Sequence, residues 1–168
     1  MEYFQYFGEY IPTKFQKETT EVQVKGKNCK VEILDTAGLS AYWSLRDSFV
    51  RTVDGIMLVF SLNDVESFEY LTTLHEQVSR GMREDSTIII IGNKEDLPED
   101  VRSVNYHLAQ ETANKLGAEY RETSAMTGFQ IDDAFLRLIE LCMDKRIAVN
   151  DVPTKKTKKG VMAQCKQQ

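Results

Sequence analysis

Two short apolar runs constrain this chain most. Gly55-Ile56-Met57-Leu58-Val59-Phe60-Ser61 and Thr87-Ile88-Ile89-Ile90-Ile91-Gly92 are apolar without alternation. A strand with one face in water alternates, whereas a strand covered on both faces does not. The runs therefore read as strands of a mostly parallel sheet with helices on either side. Between them, Val65, Phe68, Leu71, Leu74 and Val78 recur at helical spacing behind Asn63 or Asp64 as cap. Downstream, a helix capped by Ser103 stops at Gly117, residues 118–123 form a short strand, and Ile131, Ala134, Phe135, Leu138 and Ile139 mark one face of a last helix. Upstream, Val22 and Val24, the turn Lys25-Gly26-Lys27-Asn28, and Val31, Ile33 and Leu34 read as a β-hairpin. The order β-β-α-β-α-β-α-β-α is an α/β fold.

The chain has 168 residues, enough for one core; 42% hydrophobic and 28% charged content suits a globular protein. Its longest apolar run, Ile88 to Ile91, is far too short to span a bilayer. Met1-Glu2-Tyr3-Phe4 lacks the basic start and apolar core of a signal peptide. Cys29, Cys142 and Cys165 are odd in number and have no metal-ligand spacing, so the expected setting is the reducing cytosol. His75 and His107 stand on separate expected helices and read as structural. Charge is uneven. Of the net −5, residues 147–168 contribute +4, leaving −9 on the body by subtraction. An acidic body argues against a nucleic-acid partner, and a basic tail suits an anionic membrane surface.

Three strings end expected strands: Asp35-Thr36-Ala37-Gly38, Asn93-Lys94-Glu95-Asp96 and Glu122-Thr123-Ser124-Ala125. In open α/β sheets, ligands bind beyond the carboxyl ends of strands. Singly, each string is commonest as a surface turn; in order, each after a strand, they point to one site. Asp96 can accept two hydrogen bonds from a ring N–H and an exocyclic amine, which guanine offers and adenine does not. Asn93 can hold its loop and touch the base edge, the Lys94 stem can cover the base face, and the Ala125 N–H can read the guanine carbonyl. Gly38 permits close approach to a terminal phosphate, and Asp35 suits a magnesium ion held through water. No G-x-x-x-x-G-K-[ST] phosphate loop precedes these strings. The Gly26-Lys27 pair is followed by Asn28 and has Glu21 where the first glycine belongs.

With these motifs the chain resembles the Ras family, without a gap from about Tyr6 to Asp64 and more loosely to Arg146. The resemblance implies a three-layer α/β domain over residues 1–146, a flexible basic tail over 147–168, GTP or GDP with Mg as ligands, and protein effectors and regulators as partners. Tyr10-Ile11-Pro12-Thr13 resembles the effector loop, whose threonine binds magnesium and senses the γ-phosphate. Asp35, Thr36, Ala37 and Gly38 resemble the start of the second switch. Asn93, Lys94, Asp96, Ser124, Ala125 and Met126 fall on the guanine motifs, with Met126 where the family usually has lysine. Leu39 stands where the family carries the glutamine that orients the attacking water, and a leucine cannot hydrogen-bond water. The implied activity is a guanine-nucleotide-dependent signalling switch with impaired hydrolysis; the alternative is a nucleotide-free interaction module.

The resemblance also implies a central strand and phosphate loop that this sequence lacks. That strand would lie between the one ending at Asp35 and the one ending near Ser61. Its loss leaves two inner edges that either meet directly, leave a marginal domain, or belong to an incomplete version of a longer protein, the last being the expectation. In the tail, Cys165 is fourth from the end, as in a prenylation box, although Lys166 and Gln167 are not aliphatic. With the lysines at 155, 156, 158 and 159 it forms a two-signal anchor for the cytoplasmic face of the plasma membrane; without a lipid the expected place is the cytosol.

Overall fold

A computed structural model describes residues 15–36 and 49–150. β1 (Phe15–Val24) and β2 (Lys27–Thr36) pair antiparallel, from Phe15 opposite Thr36 to Val24 opposite Lys27. Lys25 and Gly26 close the hairpin with φ of 49° and 74°. Two positive φ values are what a two-residue turn between right-twisted strands requires, and Gly26 adopts one without a Cβ clash.

The apolar runs form β3 (Gly55–Ser61) and β4 (Thr87–Asn93), joined by β5 (Glu119–Thr123) in a parallel sheet of order β3-β4-β5. Even-numbered residues Leu58, Phe60, Ile88 and Ile90 face one layer of helices. That layer is α1 (Val65–Gly81), which contributes Phe68, Leu71 and Val78, and α2 (Tyr106–Lys115), which contributes Ala109 and Ala113. Odd-numbered Ile89 and Ile91, with Met57, meet Ala134 and Leu138 of α3 (Ile131–Asn150) on the other side. Three layers result, and cover on both faces is the physical reason the runs do not alternate.

Asp64 caps α1 by accepting from Ser67 N at 3.1 Å. Asn105, rather than the expected Ser103, caps α2 by accepting from Leu108 N at 2.9 Å. Val104 explains the shift: it is fully buried, and its N–H donates to Leu62 O at 3.0 Å, which ties residues 103–104 to the sheet before a helix can begin. Gly117, with φ of 68°, follows α2. Of the helix expected before β3, residues 49–50 lie within the described residues. α3 runs to Asn150, so the boundary drawn at Arg146 falls inside a helix. Among the described residues, no helix is long and apolar enough to cross a membrane.

Among the described residues, the facing edges of β2 and β3 do not meet. Among the described residues, β2 and β3 belong to separate sheets. A cavity of about 1250 Å³ lies between them, walled by both strands, α1 and α3.

Candidate functional site

The carboxyl ends of β3, β4 and β5 converge on one edge of the sheet. Ser61 pairs with Asn93, which pairs with Thr123. Leu62 N donates to Asn93 O at 3.0 Å, and Glu95 N donates to Thr123 O at 2.9 Å. Parallel pairing in matched register therefore brings together the loops holding the second and third strings.

Asn93 and Asp96 bridge those loops. Asn93 Oδ1 accepts from Ala125 N at 3.0 Å and from Thr123 Oγ1 at 3.5 Å. Ser124 is fully buried; its Oγ donates to Asp96 Oδ1 and accepts from Thr127 N at 3.1 Å. Ser124 O accepts from Gly128 N at 2.9 Å, and Ser124 N donates to Phe129 O at 3.1 Å, so the turn after β5 is held at both ends. Asp96 is exposed, and its second oxygen is an acceptor beside that turn. Lys94 has φ of 73°, a left-handed conformation, and its Nζ donates to Asn63 Oδ1 at 3.1 Å. Ala125 is exposed, and so is Met126, at 86%.

Several contributors escaped the sequence reading. Arg102 lies across the 94–97 loop, where its Nε donates to Leu97 O at 2.8 Å and its Nη2 to Glu95 O. Its Nη1 reaches Glu122 at 3.4 Å, with side-chain exposures of 18% and 13% for the pair. Glu122 also accepts from the Tyr120 hydroxyl at 2.9 Å. Burial first, then Glu122, raises the Tyr120 phenol well above its ordinary range, so it stays a donor. No local pattern marks Arg102, because its partners are backbone carbonyls of a turn. Asn63 was legible in principle: it follows the end of β3, the same edge that carries the other strings. Gly92 also acts here. A Cβ on it would come within 2.5 Å of the Tyr120 hydroxyl and 2.9 Å of Leu62 Cδ2, so the residue before Asn93 must be glycine for the sheet to close there.

Asp35 lies exposed at the end of β2, with Thr36 opposite Phe15. Tyr10, Pro12, Thr13, Ala37, Gly38, Leu39 and Cys165 lie outside the described residues. Among the described residues, no group of three His, Cys, Asp or Glu side chains is placed to hold a metal ion. The polar set that is assembled is an acceptor carboxylate, an amide and a lysine stem, beside a turn whose Ser124, Ala125, Thr127, Gly128 and Phe129 N–H groups are bonded within the loops. It fits a planar, hydrogen-bonding base, and the family model for the Ras family matches the chain over residues 3–144.

Proposed function

The chain belongs to the Ras family of small GTP-binding proteins, and from that premise we propose that the edge formed by β4 and β5 reads guanine as part of a nucleotide-dependent signalling switch. The supporting observation is the Ser124–Asp96 hydrogen bond together with the Ala125–Asn93 bond. They fix the carboxylate and the turn relative to each other before a ligand arrives, and a pre-organised site loses less free energy on binding. Asp96 keeps acceptor capacity for a ring N–H and an amine, and Lys94 covers the base. Asp35 and Thr13 are the residues for a magnesium ion at the phosphates. With Leu39 at the water-orienting position, hydrolysis is impaired. Switch partners read residues near Thr13 and Gly38, and Cys165 with the tail lysines holds the protein at the inner membrane face.

Calorimetry of GTP against ATP, on this chain and on Asp96→Ala, tests the reading. GTP should bind about 100-fold more tightly than ATP, because a carboxylate left unpaired penalises the wrong base. Asp96→Ala should erase that difference. Equal affinity of the unaltered chain for both bases would refute it.

One observation favours a second reading, a nucleotide-free interaction module. The Ala125 N–H, the group assigned to the guanine carbonyl, already donates to Asn93. In that reading the loop edge is closed on itself, and neither nucleotide produces binding heat.

A further inference from the structure

Met126 is the most exposed large apolar side chain among the described residues, at 86%. The turn that carries it is fixed. Ser124 N donates to Phe129 O at 3.1 Å and Gly128 N to Ser124 O at 2.9 Å. Thr127 N donates to Ser124 Oγ at 3.1 Å, and Phe129 N to Thr127 Oγ1 at 3.3 Å. Met126 cannot turn inward without breaking such bonds. Ala125 N is taken by Asn93 Oδ1. Of the N–H groups of residues 124–129, that of Met126 alone has no partner among the described residues. An acceptor docking on the turn is therefore met at residue 126, beside its thioether stem.

Oxidation is the chemistry open to such a side chain, and exposure selects where it happens. The other methionines among the described residues are half-buried and engaged. Met57 packs against Ile89 and Ile91, and Met82 against the core under α1. Met143 Sδ accepts from Cys29 Sγ at 3.9 Å. Cys142 competes weakly for an oxidant: burial pushes its thiol up to about 11, which leaves little thiolate at neutral pH.

On the reading that the β4–β5 edge binds guanine, we propose that Met126 is an oxidation site that gates this edge, its sulfoxide holding the base less tightly than its thioether. The oxidant is a peroxide. A sulfur lone pair attacks one peroxide oxygen, an S–O bond forms as the O–O bond breaks, and the other oxygen leaves as water after proton transfer. Sulfur loses two electrons and the peroxide gains them. Two thiols reverse the step, giving the thioether, a disulfide and water. The effect on binding follows from solvation. An apolar stem gives up its water readily when a base covers it. A sulfoxide holds water through a strong dipole, and covering it without a new partner is costly, at about tenfold in affinity for a group at the rim.

The test treats the full chain with hydrogen peroxide and follows it by peptide mapping and calorimetry. Met126 should gain one oxygen before Met57, Met82 and Met143. Affinity for GTP should fall about tenfold as that sulfoxide accumulates, and methionine sulfoxide reductase with a thiol should restore it. Met126→Leu keeps an apolar stem without sulfur, so its GTP affinity should be the same before and after peroxide. The proposal fails if another of these methionines oxidises first, if Met126 sulfoxide leaves affinity unchanged, or if the leucine variant loses as much. A chain that prefers GTP over ATP but does not respond to peroxide refutes this proposal and leaves the base reading standing. A chain with no preference before treatment refutes both.

Discussion

Arg102→Met should separate how the base-reading loop is held from what it reads. The substitution keeps a long apolar stem and removes the guanidinium. Glu122, 13% exposed, then keeps the Tyr120 hydroxyl and loses its cation. Breaking a buried ion pair from one side costs about 3–5 kcal/mol, and the partial exposure of this pair places it at the low end. The carbonyls of Leu97 and Glu95 also lose charged donors, at about 1 kcal/mol each before water replaces part of them. A loss of about 3–5 kcal/mol follows, equivalent to a fall in melting temperature of about 10–15 °C for a domain of this size. Glu122→Gln in the same background should recover about half, since an amide still accepts from Tyr120 without leaving a charge unpaired. Urea unfolding with an unchanged denaturant slope is the assay. Nucleotide affinity should fall while the ratio of GTP to ATP affinity holds, because Asp96 is untouched. A loss below about 0.5 kcal/mol, or no recovery in the double variant, would refute the clamp.

Other perturbations address separate parts of the chain. Arg137 lies 2.9–3.0 Å from the Glu119 carboxylate and, with Arg121, holds it below the ordinary glutamate range. A depressed folded value means the stabilisation is present above the unfolded value of about 4.3 and is lost as pH falls through the folded one. Glu119→Gln should therefore cost about 1 kcal/mol at neutral pH after solvent screening, and thermal melts of the two proteins should begin to approach each other only below the unfolded value of about 4.3 and converge once pH has fallen through the lower folded value. In a version joined to a phosphate-loop segment, Leu39→Gln should speed single-turnover GTP hydrolysis about tenfold, as a restored positioning group does; equal rates would clear Leu39. Cys165→Ser should move the protein from the membrane to the soluble fraction of a cell lysate, since one lipid and a basic cluster must act together.

The layers were legible in the sequence because both-face burial leaves its mark on every residue of a strand. Ile88 to Ile91 could hardly be anything but an interior strand, and all four are buried. Helix starts were less legible. Ser103 and Asn105 are both good capping residues, and what decides between them is Val104 tying itself to Leu62, a contact between residues far apart in the chain. The two strings proposed to read guanine stood out by their order along the chain, and parallel register then brings Asn93 beside Thr123 and Ala125. Arg102 could not be found that way. Its role lies in reaching carbonyls, which every residue carries. The gap between β2 and β3 was half legible: the strand order leaves their facing edges unpaired among the described residues, but does not say whether they close on each other.

Among the described residues, the hairpin meets α3 through an ion pair and a sulfur contact. Lys25 Nζ meets Asp144 at 2.5 Å on the surface, and Cys29 Sγ lies 3.9 Å from Met143 Sδ. An exposed ion pair contributes about 0–1 kcal/mol, and two strands alone are barely stable in water. On those described contacts, the hairpin is the element expected to open before β3, β4 and β5. Asp35 and Thr36 ride at its end, while Asn93, Asp96 and Ser124 hang from the stiff sheet. A base docked on those loops would meet firm ground, and the element delivering Asp35 would have to be caught and held, so its position is the one a ligand or partner can most cheaply change.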